Sequence, residues 1–500
     1  MNNEVLDPIR LRRETRIVWV LYALLAYFPL FMNLDVLPLR TWDEARQAMS
    51  AYEMLKNHQW LVPHYNGAPD MWSTKPPLLI WCQALLFQVL GPGELALRLP
   101  SAISAFLTGA LMVHVSSNWL HRPWMGLIAA LIMCTSLGYI NMHVARSGDY
   151  DAMLTMFMFL VLASVFRYER TGSRRAITWM FIATALAILT KSVQALLFLP
   201  GCAVYFLVTG AWQPFLKDRR TWYGVGLVIV LLAAVYLGRE AMNPGYLDAV
   251  WGNELGGRYG EVLEGHRGEW DLYIQRFIHE TFAEWYLLVP CAVVVGFCLR
   301  DVLMRRWTAL LTSAGAGYLL VVSSSSTKCE WYDAPLYPVL ASLCAIFLHT
   351  IFEWMRAARP LQGLLRVDAA PFIATFLVFV LPYSSTVDMV YQRQEWYGED
   401  DFCAPMRYMK EAVRGVRPLA ADVFCHDTYN APMLFYAHLL NDQGKPMRSV
   451  AKADLEAGQR ALAGEPYVKE FIEIHYDHRV VDSMGVVNVY EILGPAHEQH

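Results

Sequence analysis

The ionisable residues of this 500-residue chain that are candidates for chemistry fall into a few short clusters. Trp42-Asp43-Glu44-Ala45-Arg46 sets Asp43 and Arg46 three residues apart, so a helix there puts a carboxylate and a guanidinium on one face. Ser73-Thr74-Lys75-Pro76-Pro77 carries a lysine just ahead of two prolines, and Arg146-Ser147-Gly148-Asp149-Tyr150-Asp151 carries two carboxylates where an apolar run begins. Further along stand Lys191, the stretch Gly265-His266-Arg267-Gly268, and Lys328 with Tyr332. A carboxylate can take the proton from an attacking hydroxyl, and Arg or Lys can hold a phosphate leaving group. Each residue alone has a plainer use. Asp151 suits a helix N-cap or dipole partner, and a lone Lys or Tyr suits an interfacial anchor.

The elements that must position these groups are read from composition and hydropathy. Apolar residues make up 56% of the chain and charged ones 17%, against roughly a quarter charged in ordinary soluble domains. The formal charge of −4 leaves no basic surplus for nucleic-acid phosphates. About eleven uncharged stretches occur, at 17–34, 99–120, 123–145, 152–166, 176–190, 192–216, 221–238, 285–299, 307–327, 334–352 and 369–387. Most approach the roughly 17–25 residues that cross a bilayer core, and the shorter ones have flanks able to snorkel. The run 76–90 opens on Pro-Pro and is shorter, which predicts a juxtamembrane helix rather than a span. The first run follows a basic head and has no small-residue cleavage site after it, so it reads as a retained anchor.

Basic clusters such as Arg12, Arg13 and Arg16, Arg174 and Arg175, Arg219 and Arg220, and Arg305 and Arg306 recur every second span. By the positive-inside rule they place the N-terminus in the cytoplasm and the C-terminus outside. The fold expected is an all-α polytopic membrane protein with about eleven transmembrane helices and juxtamembrane helices in its first outer loop. Residues 1–390 form the membrane domain, with a long first outer loop at 35–98 and another outer loop at 239–284. The tail 391–500 carries a net −6. Its alternating segments, such as Val486-Val487-Asn488-Val489-Tyr490, predict a small α/β or α+β extracytoplasmic domain. Cys403 and Cys425 could pair there if that compartment is oxidising; most of the other cysteines lie in apolar runs and read as core residues.

This topology gathers the ionisable clusters on the outer face, where unpaired charge is costly and therefore functional by default. Carboxylates and cations at one membrane interface suit a reaction on a lipid-linked phosphate. No Gly-rich phosphate loop is present on the inner side, which argues against direct use of a nucleotide sugar.

The ordered set Trp42–Arg46, Lys75-Pro76-Pro77-Leu78, Leu97-Arg98-Leu99-Pro100-Ser101, the segment 146–154, Lys191, Gly265–Gly268 and 328–338 resembles the GT-C superfamily of polyprenyl-phosphate-dependent glycosyltransferases. Within it, the set is similar to the bacterial branch with the aminoarabinose-to-lipid-A transferases and the protein O-mannosyltransferase relatives. The resemblance implies an inverting transfer of a sugar from an undecaprenyl-type phosphate carrier to a lipid A, glycolipid, glycan or protein acceptor on the periplasmic face of a bacterial inner membrane. It implies Asp43 as the catalytic carboxylate and Asp151 as a second acid, with Asp149 as the competing choice. Arg46, Lys75 and Lys328 are implied at the donor phosphate, and Glu44, Lys191, Tyr332, His266 and Arg267 in substrate binding. A divalent metal is left open: in relatives an acid precedes the Lys-Pro-Pro lysine, and here Thr74 takes that place, which weakens a metal role for His266. Two other readings compete, a ligase or polymerase of lipid-linked oligosaccharides and a polytopic transporter or flippase. The transporter reading suits the charges less well, because they sit at one end of the spans.

Overall fold

The computed structural model describes residues 8–141, 143–262, 265–357, 369–392, 401–427 and 429–496. It forms two compact units. The first takes in residues up to Met32, Asp70–Leu79 and Leu99–Gln392; the second takes in Asn33–Pro69, Ile80–Arg98 and Arg393–His500. One boundary between the units falls at Gln392/Arg393, beside the division expected along the sequence, and most of the first outer loop, Asn33–Pro69 and Ile80–Arg98, belongs to the same unit as the tail.

The first unit is helical. Among the described residues, eight helices are long and apolar enough to cross a membrane: Pro8–Phe31, Glu94–Asn118, Asp151–Thr171, Arg174–Leu196, Arg219–Met242, Val302–Ser324, Leu336–Ala357 and Ala370–Gln392. Three more of the expected stretches contain the short apolar helices Pro123–Cys134, Leu199–Thr209 and Leu288–Cys298, each about 16–18 Å long at the α-helical rise. Leu78–Leu90 is a further short apolar helix, of 13 residues. The outermost helices are apolar where no protein covers them: Ile229, Val230 and Leu237 on one, and Phe376, Leu377 and Leu381 on another, are all more than half exposed. In water that pattern is unfavourable; in a bilayer it is the lipid-facing surface. The protein is a multi-pass membrane protein.

Inside this unit small residues let helices close up. A Cβ added at Gly201 would run into the Ser313 carbonyl oxygen, so Leu199–Thr209 and Val302–Ser324 touch backbone to backbone. Asp151–Thr171 ends at Gly172, whose φ of 59° suits a residue without Cβ and whose N–H donates to the Tyr168 carbonyl. The chain then reverses into Arg174–Lys191.

The second unit contains a five-stranded mixed sheet in the order Arg448–Ser449, Val423–Phe424, Arg460–Ala463, Val487–Pro495, Tyr476–Met484. The first three strands run parallel, and the last two form an antiparallel hairpin paired to them through Arg460–Ala463. Side chains alternate across the sheet. Phe424, Leu462, Val487 and Val489 face a core shared with helices Ala404–Val413, Ala431–Asp442 and Asp43–Asn57. Val423, Ala461, Ala463, Tyr490 and Ile492 face the other way, onto Val468 and Ile472 of Pro466–His475. The same alternation separates Cys403 from Cys425, which belong to the cores on opposite faces, and all nine cysteines are free. The disulfide expected between those two is absent because the sheet stands between them.

Candidate active site

In the second unit the segment leading to Asp43 is held by its backbone. Arg98 donates to the carbonyls of Leu34 at 2.8 Å, Leu37 at 3.0 Å and Pro38 at 2.7 Å, and its remaining hydrogens go to the Glu44 carboxylate at 2.7 and 2.9 Å. Glu44 also accepts from the Arg40 N–H at 2.7 Å. Burial alone would push the Glu44 carboxyl up, but Arg98 beside it and the Arg40 contacts hold it down to about 2. From the tail, Lys410 Nζ donates to the carbonyls of Asp35, Val36 and Leu37 at 2.6, 2.8 and 3.0 Å. Tyr436 accepts from the Leu39 N–H and donates to Glu94.

This clamped segment delivers Trp42, at a φ of +67°, and then Asp43, which opens helix Asp43–Asn57 as its spacing predicted. Asp43 and Arg46 are half-buried, whereas Glu44 and Ala45 are buried. The Arg46 guanidinium lies over the Tyr65 ring at 4.7 Å. Trp42 stacks on Tyr429 of the tail, their centroids 4.6 Å apart. Glu44 is thus closed off with Arg98, a position that suits holding the segment better than touching substrate.

In the first unit the helix reversal at Gly172 places the end of one helix beside the start of the previous one, and so brings Lys191 to Asp151. Lys191 Nζ donates to both carboxylate oxygens, at 2.6 and 2.8 Å, and both side chains are buried. The ammonium also lies over the Tyr332 ring at 5.1 Å. Asp149 pairs instead with His143 at 3.2 Å, and the His143 ring stacks on Trp331 at 3.8 Å. His266 meets the same indole edge-on, its carbonyl accepting the Lys328 N–H at 3.0 Å. Lys328 Nζ donates to the Ser325 carbonyl. Arg267 is exposed.

Lys75 belongs to the first unit as well. Its ammonium is 3.8 Å from Glu254 and 5.6 Å from the centre of the Tyr150 ring, between the two candidate aspartates in sequence. Thr74 Oγ1 donates to Glu254 at 2.9 Å, Tyr246 donates to the Thr74 carbonyl at 2.7 Å, and buried Arg239 donates to the Asp70 carbonyl at 2.7 Å. The loop carrying Lys75 is therefore fastened from helix Arg219–Met242 and the segment after it. Position 74 offers a hydroxyl already committed to Glu254, so Thr74 and His266 do not make the acid and histidine pair that would hold a divalent ion.

Among the residues the sequence predicted, Asp149, Asp151, Lys191, Lys75, Lys328, Tyr332, His266 and Arg267 lie in the first unit and Asp43, Glu44 and Arg46 in the second. Sequence reasoning passed over His143, Arg239 and Asp333. Asp333 is buried, and burial pushes its carboxyl up to about 7 despite the Arg276 guanidinium and the Tyr337 hydroxyl that donates to it at 3.0 Å. Arg239 finds the Asp70 carbonyl far along the chain, whereas His143 and Asp333 meet Asp149 and Tyr337 close in sequence.

A family model described as dolichyl-phosphate-mannose-protein mannosyltransferase matches residues 74–237. An undecaprenyl phosphate-alpha-4-amino-4-deoxy-L-arabinose arabinosyl transferase from Pectobacterium atrosepticum is 26% identical over 371 residues, 73% of this chain and 63% of that protein. An uncharacterized protein of Aquifex aeolicus is 29% identical over 204 residues, 41% of this chain and 40% of that one. The chain thus spans less than two thirds of the length of these relatives. The crystal structure of ArnT from Cupriavidus metallidurans bound to undecaprenyl phosphate superposes with a TM-score of 0.70 at 18% identity, covering 96% of this chain and 99% of that one. The fold is that of the GT-C membrane glycosyltransferases. Within that class the chain resembles the bacterial aminoarabinose transferases and, more distantly, the O-mannosyltransferases.

Two predictions follow from the ion pairs. Glu44 has a folded pKa below its ordinary 4.5, so its stabilisation, about 3 kcal/mol, is present above pH 4.5 and is lost as pH falls through 2. Thermal unfolding of the purified protein should show that acid loss, and Glu44→Gln should remove it while destabilising the fold at pH 7 by about 3–5 kcal/mol through the stranded Arg98 charge. Asp151→Asn and Lys191→Met should each destabilise by about 3–5 kcal/mol. The double variant should cost clearly less than their sum, as measured by a double-mutant cycle of melting temperatures.

Proposed function

We propose that this protein is a glycosyltransferase that moves a sugar from a polyprenyl phosphate carrier, of the undecaprenyl type, to an acceptor on the periplasmic face of the bacterial inner membrane. The acceptor is lipid A, another glycolipid, a glycan or a protein. The observation that carries the reading is the set Asp151, Lys191, Tyr332, Lys75 and Tyr150 at the ends of the spans of a GT-C fold. It supplies fixed cations and aromatic rings at the depth where a lipid phosphate resides.

In this reading Asp43 takes the proton from the acceptor hydroxyl as its oxygen bonds to the anomeric carbon from the face opposite the phosphate. The bond from that carbon to the phosphate oxygen breaks, and the electron pair leaves with the polyprenyl phosphate. Arg46, Lys75 and Lys328 neutralise the charge that grows on the leaving group. Asp151 keeps Lys191 charged and in place beside Tyr332. Glu44 and Arg98 act by positioning the segment that ends in Asp43. The orientation proposed is N-terminus in the cytoplasm and tail in the periplasm.

Asp43→Asn should abolish transfer from an undecaprenyl-phosphate-linked sugar in membranes where the variant is present at normal abundance; full activity in that variant would overturn the assignment. Lys75→Met should raise the donor KM by about tenfold, the equivalent of one lost charged contact. A reporter fused to the tail should read out as periplasmic, and a cytoplasmic result would reverse the orientation.

A further inference from the structure

Lys75 differs from the other lysines placed in the first unit in what its ammonium holds. Lys191 gives two hydrogen bonds to Asp151, and Lys328 gives one to the Ser325 carbonyl. Among the described residues the Lys75 ammonium gives none. It has the Tyr150 ring at 5.6 Å and a single carboxylate, Glu254, at 3.8 Å, well beyond the length of about 2.8 Å of a charge-assisted hydrogen bond. The Lys75 side chain is 21% exposed and that of Glu254 11%, so the pair is not sealed in the core.

The ordinary use of such a pair is to fasten a loop. Here the loop is fastened without it: Tyr246 donates to the Thr74 carbonyl, Arg239 donates to the Asp70 carbonyl, and the Asp70 carboxylate accepts the N–H groups of Trp72 and Ser73 at 3.0 and 3.2 Å. Thr74 also holds the carboxylate of Glu254 back. Its hydroxyl donates to Oε1 of Glu254 at 2.9 Å, and the same oxygen is the one that faces Lys75. Glu254 therefore balances the charge of Lys75 while leaving its hydrogens free for another acceptor.

A polyprenyl-phosphate sugar is a phosphodiester with a single negative charge, and breaking its bond to the sugar leaves a phosphomonoester of about −1.5 to −2 at pH 7. Lys75 alone would hold this product more tightly than the donor, because attraction grows with charge. A carboxylate beside it opposes both ligands, and the product more. We propose that Glu254 is the counter-charge that drives out the spent polyprenyl phosphate: it yields Lys75 to the diester of the donor, repels the monoester that transfer leaves behind, and takes the ammonium back as the product departs. Product release sets the turnover of many enzymes, so such a group acts on the rate without touching the bond that breaks. The proposal rests on the reading of Lys75 as a holder of the donor phosphate.

The test uses the full-length chain, purified in neutral detergent, and measures its affinity for undecaprenyl phosphate, a monoester, and for undecaprenyl methyl phosphate, a diester. Glu254→Gln keeps an acceptor for the Thr74 hydroxyl and removes the charge. It should tighten undecaprenyl phosphate by about tenfold and the methyl diester by about threefold, since twice the charge doubles the free energy of repulsion. Asp248→Asn removes the same charge from an exposed position earlier in the loop and should leave both affinities unchanged. Thr74→Val frees the carboxylate to close on Lys75 and should weaken undecaprenyl phosphate by about threefold. Unchanged or weaker binding of undecaprenyl phosphate in Glu254→Gln, an equal gain for the two esters, or an equal gain in Asp248→Asn would each overturn the proposal. If Glu254→Gln does not fold, unchanged binding in Thr74→Val overturns it. Lys75→Met separates this inference from the reading beneath it: that variant should bind both esters more weakly, and wild-type affinity there would instead remove Lys75 from the phosphate.

Discussion

A charge carried to the end of an apolar helix bundle must find its partner there, because water is not available to solvate it. The Asp151 and Lys191 pair meets that constraint through chain geometry. Two antiparallel helices joined by Gly172 and Ser173 bring the first residue of one beside the last residue of the next. The pair then fixes where neighbouring groups lie: Tyr332 packs under the ammonium, and Tyr150, one residue before Asp151, faces Lys75. A site of this kind is held in place by the helices that carry it rather than by its own loops.

The second unit solves a different problem with the same resource. The segment 34–42 has no regular hydrogen-bond ladder, so its carbonyls need donors from elsewhere. Arg98 and Lys410 provide them, each reaching three backbone oxygens, and Glu44 and Glu94 balance their charge. The result is that the helix opening at Asp43 starts from a rigid support built partly by the tail. This also explains why the first outer loop and the tail form one compact unit despite some three hundred residues between them.

Much of the candidate site was legible because charge is rare in this chain. With 17% charged residues, most of them in loops, Asp43, Lys75, Asp151 and Lys191 stood out against apolar surroundings, and motif order linked them to a superfamily whose fold the structure bears out. Glu44 misled, because a carboxylate next to Asp43 in sequence points to the other side of the helix, where Arg98 waits. Cys403 and Cys425 misled for a related reason: compartment chemistry allows a disulfide, but a sheet lies between them.

The sequence by itself determined the membrane class, the approximate positions of most spans and the presence of a small mixed domain in the tail, and it picked out the ionisable residues proposed to handle protons and phosphate. These follow from composition, run length and periodicity, which are local properties. Tertiary structure alone decided which charges meet. It assigned Lys191 to Asp151 and His143 to Asp149, set Glu254 beside Lys75, pushed Asp333 up by burial, and joined residues 33–69 to the tail. Most of these pairings depend on contacts between segments distant along the chain, and neither spacing nor hydropathy encodes them, because many packings bury the same apolar area but differ in which charges they bring together.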